Sequence, residues 1–169
     1  MTKKAIPNMF TLGNLACGLL SIIMVFQENY LWAALFVLFS ALFDRYDGRI
    51  ARYLSATNEI GKELDSLADL VSFGVAPSIL IFNLYNLDRF GIIGYLLVII
   101  FPLAGAYRLA RYNSTQFDGI YSGIPITIAG ALMAVFSLLT LNHSNTILAI
   151  FLLIGLSYLM VSNIKFKKI

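Results

Sequence analysis

Residues 44–69 read DRYDGRIARYLSATNEIGKELDSLAD. Four aspartates, Asp44, Asp47, Asp65 and Asp69, stand here in a chain that is 59% hydrophobic. Asp44 and Asp47 are spaced i, i+3, and Asp65 and Asp69 are spaced i, i+4. Each spacing places both carboxylates of a pair on one helix face. Two such helices facing each other make a four-carboxylate cluster that demands cations, and oxygen donors suit hard divalent ions.

Around this stretch the chain is greasy. Only 12% of its residues are charged and its mean hydropathy is +0.81, against a charged fraction of about 25% in soluble domains. Composition and length predict an all-α integral membrane protein of one domain, residues 1–169. The single cysteine, Cys17, lies in an apolar run, so neither an intrachain disulfide nor a cysteine zinc site is available. The run 9–26 follows Lys3 and Lys4 but is long for a signal peptide and lacks an A-x-A cleavage site; it reads as a retained first span.

The hydrophobic pattern predicts six transmembrane helices, at about 9–26, 30–54, 59–85, 90–112, 122–141 and 146–163. Spans two and three exceed the roughly 20 residues that a crossing needs, so their shared end projects from the hydrocarbon core. Short links predict antiparallel neighbours, hence an up-down bundle. Alternating six spans puts Lys3, Lys4, Arg45, Arg49, Arg52, Lys62, Arg108, Arg111, Lys165, Lys167 and Lys168 on one side and leaves Arg89 alone of the 12 basic residues on the other. The positive-inside rule makes the charged side cytoplasmic, with both termini and all four aspartates there.

Acidic groups near the hydrocarbon core serve pairing, a metal or a pathway. Pairing with Arg45, Arg49, Arg52 and Lys62 at the membrane surface is the plain reading. The small residues argue for more. Gly48 removes a side chain directly beside Asp47, Ala51 keeps the next turn small, and Gly61 lies one turn before Asp65; something bulky can then approach the backbone. Arg52, two turns after Asp44, is placed to hold a phosphate. Carboxylates, divalent cations and an arginine make a phosphoryl-transfer site.

Asp44-x2-Asp47-Gly48-x2-Ala51-Arg52-x8-Gly61-x3-Asp65-x3-Asp69 resembles the signature of the CDP-alcohol phosphotransferase family at every defined position. Pro7-Asn8-Met9-Phe10-Thr11-x2-Asn14 is similar to the family's first-helix entry. The segments 64–77, 107–113 and 123–125 resemble its phosphatidylserine synthase branch, except that Thr127 stands where those synthases often carry a second proline. The resemblance implies transfer of a phosphatidyl group from CDP-diacylglycerol to the hydroxyl of L-serine, giving phosphatidylserine and CMP. It implies Mg2+ or Mn2+ held by Asp44, Asp47, Asp65 and Asp69, with Asp69 also the base. It implies CDP-diacylglycerol contacts at Asn8, Met9, Phe10, Thr11, Gly48, Arg52 and Asn58, with Thr57 as plausible as Asn58, and it implies a homodimer in the cell membrane with the site toward the cytoplasm.

Serine capture needs a cation. Arg108 and Arg111, i, i+3 at the end of the fourth span, are either serine ligands or topology anchors, with Arg108 the first choice because it sits deeper. Asn113, Ser72 and Lys62 are weaker candidates. His143 falls in a loop far from the aspartates, and the lysines at 165, 167 and 168 read as a headgroup anchor. Gly105, Gly123, Gly130 and Gly155 read as packing positions or breaks. No basic aromatic surface suggests nucleic acid. The alternatives within the family are another acceptor, glycerol phosphate or inositol phosphate, or an ether-lipid CDP donor. The alternative from another class is a small cation transporter, which would distribute its carboxylates through the membrane depth.

Overall fold

The structure, a computed structural model, describes residues 5–53, 59–114, 120–142 and 145–167. Helix α1 (Ala5–Phe26) carries Pro7 in its first turn, where a missing N–H is harmless. It ends at Phe26, and Glu28, with a positive φ of 59°, lies in the turn that reverses the chain. Helix α2 (Tyr30–Tyr53) returns antiparallel and packs along α1 more extensively than any other pair of elements. Asp44 and Asp47 therefore lie in the second half of α2, facing the beginning of α1.

Helix α3 (Glu59–Asp69) runs into a π-helical stretch, Leu70–Val75, and then into α4 (Ala76–Leu84). Pro77 gives this stretch a local cause, because it has no N–H to offer the Phe73 carbonyl four residues back. The ladder instead widens, and the Ala76 N–H bonds to Val71 O. Two glycines seat the widened turn. A Cβ at Gly18 would come within 2.4 Å of Ser72 Oγ, and one at Gly130 within 2.5 Å of the Phe73 carbonyl oxygen. The stretch is thus gripped between α1 and α6 immediately after Asp69.

A 3-10 turn (Leu87–Phe90) leads to α5 (Ile92–Ser114), followed by α6 (Ile126–Leu139) and α7 (Thr146–Val161). The hydrophobic pattern predicts a fifth span from about residue 122, but α6 begins only after Pro125, because Gly123 takes φ +75° against Met160 O. With 14 and 16 residues, α6 and α7 measure about 21 and 24 Å. The helical bundle carries one addition to the expected all-α design. Strand β1 (Ile120–Ser122) pairs antiparallel with β2 (Lys165–Lys167), with Tyr121 opposite Phe166. The pairing satisfies backbone groups that both segments expose on leaving their helices. A second correction concerns Gly155, where a Cβ would touch nothing within 4 Å, so close packing does not explain it.

Phe73, Phe101, Leu80, Ile126, Met133 and Leu153 fill the centre without exposure. Outward-facing residues of α5 and α7 are also apolar: Ile92, Leu96 and Phe151 are each more than half exposed. Pro7–Phe26, Ile60–Leu84 and Ile92–Ser114 are long and apolar enough to cross a membrane. Apolar side chains therefore cover both the interior and the periphery, the pattern of a chain solvated by lipid.

Candidate functional site

The second half of α2 and helix α3 meet the first half of α1, and the aspartates converge there. Asp44, Asp47 and Asp65 each bring a carboxylate oxygen into one group, all within 4.8 Å of one another. At an effective dielectric of about 20, two ionised carboxylates at this separation repel by roughly 3 kcal/mol. Asp47 is buried and Asp44 and Asp65 are half-buried, so water screens this repulsion poorly. Asp65 Oδ1 is buried with no hydrogen-bond partner among the described residues. An all-oxygen donor set with an unsatisfied carboxylate oxygen fits a hard divalent cation.

Asp69 stands beside this trio, one turn after Asp65, and is only 7% exposed. It lies near enough to feel the charges of Asp44, Asp65 and Asp47. Of the basic residues near this trio, Arg45 and Arg49 are exposed, and Lys62 donates to Asn113 O at 3.4 Å.

Helix α1 supplies the neutral partners. Thr11 Oγ1, buried, lies 3.0 Å from Asp47 Oδ2 and 3.2 Å from Pro7 O, and donates toward both. Asn14 Nδ2 donates to Asp69 Oδ1 at 3.1 Å. Phe10 rests against Phe43, one residue before Asp44, with ring centroids 6.3 Å apart. Asn8 is half-buried and Met9 is exposed. A Cβ added at Gly48 would meet nothing among the described residues within 4 Å, which leaves space on that side of the backbone beside Asp47. Asn58 and Thr57 lie outside the described residues, as do the Arg52 side chain, His143 and Lys168.

The two arginines of α5 part company. Arg111 donates to Val161 O at 3.2 Å, to Asn163 Oδ1 at 3.3 Å and to Ser162 O at 3.5 Å, and it lies over the Tyr107 ring. It thus ties α5 to the end of α7. Arg108 is buried, with its guanidinium 6.0 Å from the Tyr112 ring centroid. Asn113 Nδ2 donates to Ser66 Oγ at 2.9 Å, joining the end of α5 to α3 next to Asp65.

Two contacts of the aspartates join segments far apart in the sequence. Thr127, at the start of α6, faces the Asp44 carboxylate. It is the position at which the resembling synthases often carry a second proline, and nothing in the local sequence points it at Asp44. Asn14 was visible as part of the first-helix motif, without a partner.

Residues 4–161 match the family model for CDP-alcohol phosphatidyltransferase. The CDP-diacylglycerol--serine O-phosphatidyltransferase of Bacillus subtilis is 42% identical over 164 residues, covering 95% of this chain and 89% of that relative. The protein of the same name from Helicobacter pylori strain 26695 is 38% identical over 96% of this chain and 73% of its own length. The archaetidylserine synthase of Methanothermobacter thermautotrophicus is 33% identical over 98% and 70%.

Proposed function

The chain belongs to the CDP-alcohol phosphatidyltransferase family, and from that membership we propose that it transfers a phosphatidyl group from CDP-diacylglycerol to the hydroxyl of L-serine, yielding phosphatidylserine and CMP. One observation carries the mechanism: the trio Asp44, Asp47 and Asp65, with Asp69 buried beside it. Divalent cations, Mg2+ or Mn2+, held by Asp44, Asp47 and Asp65 with Asp69 completing the set, would neutralise the diphosphate and the departing CMP.

The protein's own groups do the rest. Thr11 fixes Asp47. Gly48 leaves room for the nucleotide end of the donor, with Asn8, Met9, Phe10, Arg52 and Asn58 as its further contacts. Asp69 accepts the proton of the serine hydroxyl. The serine oxygen then forms a bond to the lipid-side phosphorus, and the bond from that phosphorus to the bridging oxygen breaks, its electron pair leaving with CMP. Arg108 receives the serine carboxylate. Arg111, already engaged with the end of α7, serves the fold.

The protein acts as one domain across residues 1–169 in the cell membrane, as a homodimer, with both termini and the site toward the cytoplasm. The skew of basic residues supports that orientation. A cation pathway would string acids through the membrane depth, whereas these gather at one level. Purified protein in detergent, given CDP-diacylglycerol, Mg2+ or Mn2+ and a panel of alcohols, tests the proposal. Serine-dependent CMP release is expected; release with another alcohol alone, or none at all, contradicts it.

A further inference from the structure

We propose that Asn14 is a positioning residue for the transfer, its amide holding one oxygen of the Asp69 carboxylate so that the other faces the incoming hydroxyl; this rests on the function proposed above. Asn14 has no exposed surface. Its Nδ2 donates to Asp69 Oδ1 at 3.1 Å. Its backbone carbonyl accepts from Ser40 Oγ at 3.2 Å and from Ser72 Oγ at 3.0 Å. Ser40 lies on α2 one turn before Asp44, and Ser72 lies in the π-helical stretch three residues after Asp69. Asn14 is thus pinned to α2, which carries Asp44 and Asp47, and to the π-helical stretch that directly follows Asp69. Gly18, one turn along α1, lets Ser72 come this close.

The chemistry selects an amide. A lysine or arginine at this position would neutralise Asp69 and weaken it as a base, and an aspartate would repel it. A neutral N–H donor orients the carboxylate at the smallest cost in basicity. The hydrogen bond also fixes the amide orientation, because the flipped form would set Oδ1 against a carboxylate oxygen.

The other end of the same side chain points to function rather than stability. Asn14 Oδ1 is buried without a hydrogen-bond partner among the described residues. Such an acceptor costs about 1–3 kcal/mol. A leucine of similar size would avoid that cost but would give Asp69 no donor.

Asn14→Leu tests the assignment in the detergent assay with wild-type protein alongside, and Ser40→Ala serves as the packing control, since it loosens the Asn14 backbone but leaves the amide in place. The expected result is a fall in kcat of about 100-fold or more for Asn14→Leu. KM for CDP-diacylglycerol should stay within about threefold of wild type, and Ser40→Ala should keep kcat within about threefold. Near-wild-type kcat in Asn14→Leu overturns the proposal. So does an equal loss of kcat in Ser40→Ala, because packing would then explain both. If Asn14→Leu does not fold, Asn14→Ala, which removes the amide donor without adding a charge, is judged by the same criteria. Absence of serine-dependent CMP release by wild-type protein overturns the function itself; wild-type turnover matched by the Asn14 variant overturns only the role of Asn14.

Discussion

Thr11 Oγ1 on α1 lies within hydrogen-bonding distance, 3.0 Å, of Asp47 Oδ2 on α2, so the first helix orients a carboxylate of the acidic cluster through a neutral hydroxyl. The contact spans 36 residues of sequence and joins two segments that the family resemblance treats separately, the first-helix entry and the aspartate signature. Thr11→Val keeps the branched shape and removes the donor. A hydrogen bond to a charged group contributes about 1.5–3 kcal/mol. The variant should therefore raise KM for CDP-diacylglycerol by roughly 10-fold or more while changing KM for serine little. Initial rates with each substrate varied in turn check this.

Gly48 separates stability from function. Its missing side chain costs helix stability, roughly 0.5–1 kcal/mol relative to alanine. A Cβ there meets no neighbouring element among the described residues within 4 Å. Gly48→Ala should raise the thermal midpoint in detergent by a few degrees and lower turnover at least about 10-fold, because the added methyl occupies space the donor needs. Thermal unfolding and CMP release on the same preparation check both halves. A stabilised variant with full activity would remove Gly48 from the nucleotide contacts.

The arginines of α5 should part functionally as they do structurally. Arg111→Ala removes the tie to Val161, Ser162 and Asn163. Its loss should lower thermal stability by about 1 kcal/mol and leave KM for serine within about threefold. Arg108→Lys keeps the charge but loses the planar fork that grips a carboxylate. That change should raise KM for serine about 10-fold or more with KM for CDP-diacylglycerol held. Equal effects of the two substitutions on serine would contradict this division of roles.

Much of this was legible in residues 44–69, because helical spacing alone puts Asp44 with Asp47 and Asp65 with Asp69. The six helical segments were legible too, since apolar runs and short links follow from local composition. What escaped the sequence was set by contacts between distant segments. The π-helical stretch at Leu70–Val75 has a local trigger in Pro77, but its seating depends on Gly18 and Gly130 from two other helices. The late start of α6 follows from Gly123 meeting Met160, and the β1–β2 pairing joins segments 43 or more residues apart. Asn14 and Asp69 are 55 residues apart, and no periodicity within α1 marks Asn14 as a partner for an acid.

Removal of divalent cations should abolish turnover reversibly. Asp44, Asp47 and Asp65 crowd their oxygens within 4.8 Å, and three such charges repel unless a cation joins them. Chelation should stop CMP release, and Mg2+ or Mn2+ should restore it where sodium at equal ionic strength does not. Full activity in chelator would contradict a metal role for the trio.

The most direct test of the central claim, that Asp69 is the base serving a metal-bound diphosphate, is serine-dependent CMP release by Asp69→Asn beside wild type, with binding of CDP-diacylglycerol measured on the same samples. Asp69→Asn should lose at least about 100-fold in kcat with donor binding largely retained. Near-normal turnover by Asp69→Asn would contradict it.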